Sequence, residues 1–255
     1  MKLRRLPALF LPLFLAFLPA RPLPAAEARV AVAANFLQPA RALAAAFHET
    51  SGHELRLSHA STGMLYAQIR HGAPFEVFLA ADQARPRRLI REGLAVPGSL
   101  FVYALGRLVL WNPATDAFED GERYLRGMSF ERLAIANPDT APYGRAARET
   151  LERLGLWDRL RPRLVIGNSI AQAFQFVATA NAEAGLVAAS QLRGGKWREG
   201  SLWPVPETYY RPIAQAAVLL TRGRNNPAAR DFLTFLQGSR ARGIIERWGY
   251  GTEKN

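Results

Sequence analysis

The chain has 255 residues, 49% hydrophobic and 21% charged, which is enough for one large domain or two lobes with cores of their own. It has no cysteine, which excludes a disulfide framework, a thiolate metal site and a lipid anchored on cysteine. The formal charge of +12 rests on scattered arginines, with lysine only at Lys2, Lys196 and Lys254, and no basic motif interleaved with aromatics appears, so nucleic acid is not expected as a partner.

Residues 1–28 read as a leader. MKLRR is basic, LPALFLPLFLAFL is an apolar run of signal-peptide length, and PLPAAEA offers small residues for cleavage after Ala26 or Ala28. The run is short and proline-rich for a spanning helix, so an uncleaved anchor is the weaker alternative. The mature protein is expected to be soluble and exported to the periplasm. Cut after Ala28 it keeps 29 basic and 20 acidic side chains, a charge of +9 that favours the capture of anions.

After the leader, short apolar runs alternate with helical patterns. RVAVAAN (29–35) leads into a helix through PARALAAAFHE, ELRLSHA (54–60) into GMLYAQIRHG, and FEVFLAAD (75–82) into a helix near 83–92. LAIANP (133–138) precedes YGRAARETLERLG, and RLVIGNS (163–169) precedes IAQAFQFVATA. AGLVAAS (184–190) and IAQAAVLL (213–220) are further strands, and two helices with a break at Gly238 close the chain. This alternation predicts an α/β fold of mostly parallel sheets flanked by helices. The length suggests two lobes, with RLVLWNP (107–113) and PETYYRPIAQ (206–215) as candidate crossings. The expected division is a first lobe from 29–108 and 211–255 and a second from 109–210.

In open parallel sheets, ligands bind where strands end and helices begin. Those junctions hold Ala34-Asn35, Ser61-Thr62-Gly63, Ala81-Asp82, Pro142-Tyr143-Gly144 and Ser169-Ile170, without a lysine, arginine or histidine among them. Unpaired N–H groups at several helix starts make a site for an anion with no cationic side chain, and Asn35, Ser61, Thr62, Tyr143 and Ser169 add neutral donors. The plainer reading is helix capping. Asn35 with Gln38 resembles a capping box, and Asp82 suits a cap for the helix beginning near Gln83, or else an acceptor for a protonated ligand.

Catalytic motifs are weak. HELRLSH (53–59) lacks the HExxH spacing, so His53 and His59 read as surface or strand residues, while His48 and His71 sit near helix ends. Ser61 with His59 and Asp82 is imaginable as a triad, but there is no GxSxG elbow, and neither GxGxxG nor GxxxxGK[ST] occurs. Trp111, Trp157, Trp197, Trp203 and Trp248 read as packing residues, with Trp203 partly exposed.

Five stretches carry a resemblance: VAVAANF (30–36), SHASTGMLYAQIRHGAPFEVFLAADQ (58–83), RLVLWNP (107–113), RLAIANPDTAPYGRAARETLERLG (132–155) and NSIAQAFQFVATANAEAGLVAAS (168–190). In this order they resemble the periplasmic molybdate-binding proteins of ABC transporters, the ModA family of type II solute-binding proteins. GAPFEVFLAAD and ANPDTAPYG are the more specific pieces. The resemblance implies two α/β lobes on a hinge that close on a tetrahedral oxyanion and present the loaded form to a permease and its ATPase subunit. Carried over by position, the site is Ala34 and Asn35 at the first junction, the Thr62 hydroxyl with Ser61 beside it, the Ala81 N–H, Tyr143 from the second lobe, and the Ile170 N–H after Ser169. Many members place a tyrosine where this chain has Ala188, which makes Tyr143 the candidate to supply that phenol from the other side.

A fully ionised dianion needs donors only, so rigid neutral dipoles in a dewatered cleft suit it. The expectation is a monomeric, non-enzymatic binding protein for molybdate, and for tungstate of nearly equal size, with no resident cofactor. Two alternatives remain: a binding protein for sulfate or phosphate, the latter through Asp82, and a serine hydrolase using Ser61 with His59. A sensor domain is a third reading, but a leader and not a DNA-binding helix pair precedes the fold.

Overall fold

The computed structural model describes residues 25–193 and 199–252. The expected leader up to Pro24, and Trp197, lie outside the described residues. The apolar runs pair into two five-stranded sheets. The first, ordered β2-β1-β3-β10-β4, takes β1 (Glu27–Ala33), β2 (Glu54–Ala60), β3 (Val77–Ala80), β4 (Phe101–Gly106) and β10 (Ile213–Leu219). The second, ordered β7-β6-β8-β5-β9, takes β5 (Leu108–Asn112), β6 (Leu133–Ala136), β7 (Leu164–Gly167), β8 (Ala184–Ala188) and β9 (Ser201–Pro204).

Helices cover both faces of each sheet, which is why most of these strands are nearly all apolar instead of alternating. Val30 and Val32 of β1 point into one layer with α1 (Leu37–Ser51), α8 (Pro227–Gln237) and α9 (Ser239–Arg247). Ala31 between them points the other way, against α2 (Thr62–Arg70) and α3 (Ala84–Arg91). The second sheet packs α4 (Gly121–Gly127), α5 (Pro142–Arg153) and α6 (Trp157–Leu160) on one face, and α7 (Ile170–Ala178) on the other. There Trp111, fully buried, stacks on Phe174 at 5.2 Å. Removing an aromatic side chain of that size from a core costs about 3–5 kcal/mol.

Local signals set the helix ends. α1 stops at Gly52, whose φ of 72° suits glycine alone at little cost. α8 starts with Asn226 accepting from the Ala228 N–H at 3.0 Å and with Pro227 in the first turn.

Three expectations are corrected. The sheets are mixed: β1 runs parallel to β2 and β3, but β10 runs antiparallel to β3 and β4, and β5 antiparallel to β8 and β9. β5 and β10 each arrive by crossing from the other sheet, without the helical crossover that a parallel neighbour requires. Glu27 and Ala28, assigned to the leader, are the first residues of β1 and pair with Glu54 and Leu55, and Leu108 belongs to the second sheet. His53 is buried, not on the surface: its Nδ1 accepts the Ala26 N–H at 3.1 Å and its Nε2 lies 3.3 Å from Asp231. It clamps the start of β1 to α8.

The chain passes between the sheets at Arg107, and again across the residues between β9 and β10, after which α8 and α9 pack on the first sheet. Because both sheets have β1-like central strands flanked by the next two in sequence, the ends of β1, β3, β6 and the starts of α2, α5 and α7 meet where the sheets face one another.

Candidate oxyanion-binding site

Between the lobes lies a small cavity of about 10 Å³, lined by Ala33, Ala34, Asn35, Ser61, Thr62, Ala81, Ala141, Pro142, Tyr143 and Ile170. Seven of the eight residues expected from sequence line it. The eighth, Ser169, caps α7 by accepting from the Gln172 N–H at 3.3 Å and faces a neighbouring, wider groove with Gln38, His59 and Gln191. No side chain lining the cavity carries a charge.

Helix starts supply its donors. The first amides of a helix have no acceptor within the helix. In α2, Met64 N–H is taken by Ser61 Oγ at 3.4 Å and Gly63 N–H by Thr140 O at 2.8 Å, which leaves the Thr62 amide. Pro142 opens α5 without an N–H, so Tyr143 offers the first amide there, and Ile170 offers the first of α7. Each end adds about half a positive charge by its aligned peptide dipoles.

Two roles differ from the expectation. The Ala81 N–H is used inside the protein, donating to Thr62 Oγ1 at 3.1 Å, and so holds the Thr62 hydroxyl with its proton free for the cavity. Asn35 is no helix cap. Its Nδ2 donates to Gln215 Oε1 at 2.9 Å and to the Tyr250 hydroxyl at 3.0 Å, while its backbone carbonyl accepts from Tyr250 at 2.8 Å and Ser190 at 3.2 Å. Tyr103, 3.2 Å from Gln215 Oε1, and Tyr143, 3.5 Å from Gln215 Nε2, complete this buried cluster.

Burial raises the Tyr143 and Tyr103 hydroxyls well above the ordinary tyrosine range, with neighbouring tyrosines adding to it. Burial likewise pushes Tyr250 up to about 12, against hydrogen bonds from Ser190 and Asn35 that hold it lower. All three are neutral at ordinary pH, so they add no repulsion toward an anion. Gly106, where the first crossing begins, is required by close approach: a Cβ there would stand 2.3 Å from the Tyr143 hydroxyl and 3.0 Å from Gln215 Nε2. Tyr143 packs in the same core as Ala188, the small residue that stands where a tyrosine was considered.

The lobes are closed over the cavity. Besides the Gly63–Thr140 bond, Arg85 Nη2 donates to Asp139 O at 3.0 Å, and Arg145 of α5 pairs with Asp82 at 3.5 Å. Asp82 also accepts from the Arg85 N–H at 3.0 Å and pairs with the Arg85 guanidinium. It is thus a cap and a latch, with its oxygens committed to two arginines. His59 is exposed on β2, and among the described residues no bond joins it to Ser61 or Asp82, so the triad is not assembled.

Gln215, Tyr103, Ser190 and Tyr250 were missed from sequence. Gln215 carried a signal, as the one polar residue in the apolar run IAQAAVLL; Tyr250 carried none.

Comparison with known proteins matches this architecture. A family model described as bacterial extracellular solute-binding protein fits residues 28–251. The molybdate-binding protein ModA of Azotobacter vinelandii is 50% identical over 90% of this chain and 91% of its own, and that of Rhodobacter capsulatus 47% over 92% of each. The solved periplasmic molybdate-binding protein of Azotobacter vinelandii superposes with a TM-score of 0.86 at 38% identity, covering 89% of this chain and all of that one. The sulfate-binding protein SubI of Mycobacterium tuberculosis, 10% identical over 88% of this chain and 86% of that one with a TM-score of 0.73, shares the fold alone. The chain belongs to the bacterial extracellular solute-binding protein family, together with the ModA proteins of Azotobacter and Rhodobacter.

Proposed function

We propose that this protein captures molybdate outside the cytoplasm, in the cavity between its lobes, and presents it to an ABC permease and its ATPase. The carrying observation is that helix starts from both lobes meet around a cavity with no charged side chain in its lining, where the Thr62 hydroxyl and the Thr62, Tyr143 and Ile170 amides are placed to donate. The names of the two ModA relatives support the choice of molybdate. Tungstate is accepted as well, because it is tetrahedral, doubly ionised and nearly the same size. The lobes divide at Arg107 and near Arg211, the leader is removed on export to the periplasm, and the monomer acts without a resident cofactor or turnover. Sulfate and phosphate are disfavoured: sulfate is smaller, and a protonated phosphate finds Asp82 already held by Arg85 and Arg145.

Charge-assisted hydrogen bonds set the magnitude. Thr62→Ala removes the hydroxyl and frees the Ala81 amide, so it should weaken molybdate by about 1–3 kcal/mol in calorimetric titration. Asn35→Ala leaves Gln215 Oε1 and the Tyr250 hydroxyl without their buried amide donor beside the cavity and should weaken molybdate by a similar amount. Affinity unchanged in both would mean that these side chains only shape the wall.

A further inference from the structure

The helix starts that offer amides to the cavity are each tied to a sheet by a side chain. In α2 the tie is the helix's own first residue: Thr62 Oγ1 accepts the Ala81 N–H, just past the end of β3, at 3.1 Å. In α5 it is Tyr143, whose hydroxyl lies 3.5 Å from Gln215 Nε2 of β10. The first residue of α7 is Ile170, which has no polar side chain to spend. Its tie comes from outside the helix, from Gln191 in the short turn Ala189–Leu192 that follows β8.

Gln191 Oε1 accepts the Ala188 N–H at 3.0 Å, and Gln191 Nε2 donates to the Ile170 carbonyl at 3.1 Å. These partners fix which way the amide faces, because a backbone N–H only donates and a backbone carbonyl only accepts. Capping of the short turn accounts for the bond to the oxygen alone. The bond from the nitrogen reaches 21 residues back along the chain, to α7. The arrangement repeats that of Thr62, in which one side chain takes the amide at a strand end and fixes the helix start beside it. Two other bonds at this helix start stay local: Ser169 Oγ accepts the Gln172 N–H at 3.3 Å, and Gln172 Oε1 accepts the Asn168 N–H at 2.7 Å. They shape the turn, and Gln191 joins it to the strand.

The amide and carbonyl of Ile170 flank one Cα, with only φ and ψ between two rigid planes. Holding the carbonyl therefore aims the amide. Ile170 lines the cavity, whereas Gln191 lines the neighbouring groove. We propose that Gln191 is a positioning residue, which holds the Ile170 N–H in the direction that a tetrahedral oxyanion needs without itself touching the anion. The inference rests on the oxyanion reading given above. A hydrogen bond to an anion is strong only when short and straight, so a loosened start of α7 loses that donor first.

The test is Q191M, which keeps the length and bulk of the side chain and removes both bonds, in molybdate titrations of the mature protein followed by backbone nitrogen–proton spectra. Molybdate should weaken by about 10-fold, the loss of one such bond. At saturating molybdate the ligand-induced shift of the Ile170 amide should shrink by about half or more, while the shifts of the Thr62 and Tyr143 amides stay near their wild-type size. A merely structural role would reduce all of them alike. That result, or an unchanged affinity, overturns the proposal. A second measurement does not depend on Q191M folding: in the wild type the Ile170 amide proton should move on adding molybdate. An Ile170 signal that ignores molybdate overturns the proposal while leaving the binding function standing. A wild type that binds no tetrahedral oxyanion removes the oxyanion reading, and this proposal with it.

Discussion

Tyr250 shows how single residues carry the site. It comes from the chain's end, after α9, yet its hydroxyl reaches Asn35 and Ser190 and joins the two lobes behind the cavity. Burial holds it un-ionised up to about pH 12, whereas an unfolded tyrosine releases its proton near 10. A pKa raised on folding contributes stability that is full below the unfolded value and lost as pH climbs through the folded one. The melting temperature should therefore fall steeply between pH 10 and 12, and Tyr250→Phe should make that fall shallower in a melt series. An unaltered slope would place the alkaline loss elsewhere, in Tyr103 or Tyr143. Tyr143→Phe strips a partner from buried Gln215 Nε2 and should lower stability by about 1–3 kcal/mol and weaken molybdate as well. The junction residues were legible because small and hydroxylic residues at strand ends are a local pattern. The wall behind them was not, since Gln215 lies 180 residues from Asn35 and Tyr250 lies 215 away, and no spacing announces a contact of that range.

At the scale of elements, closure depends on how near α2 comes to the loop before α5. A Cβ on Gly63 would stand 2.9 Å from Thr140 O, against backbone that has little room to give. Gly63→Ala should strain only the closed form, by about 1–3 kcal/mol as in other overpacked contacts. It should therefore weaken molybdate while leaving the melting of the ligand-free protein unchanged. A lower ligand-free melting temperature would show that Gly63 matters to α2 itself. The Asp82–Arg145 pair beside it has a half-exposed guanidinium, and pairs of that kind contribute little each. Strand and helix order was readable from apolar runs and their spacing. Strand direction was not: β5 and β10 look like any other apolar run, and only the crossing that delivers them makes them antiparallel.

Across the whole molecule, two sheets of the same order face each other, and the chain passes between them twice. Under the proposed function, closing the lobes replaces water around an anion with fixed dipoles from both sides, and lobe closure is the signal of loading that the permease reads. The most direct test of this account is a thermal melt of the mature protein with molybdate, tungstate, sulfate and phosphate, each at a fixed excess. A ligand at about a hundred times its dissociation constant stabilises by about 2.7 kcal/mol, a rise of roughly 5–10 °C for a chain of this size. The account predicts that rise with molybdate and tungstate and none with sulfate or phosphate. A rise with sulfate or phosphate alone, or with none of the four, would contradict it.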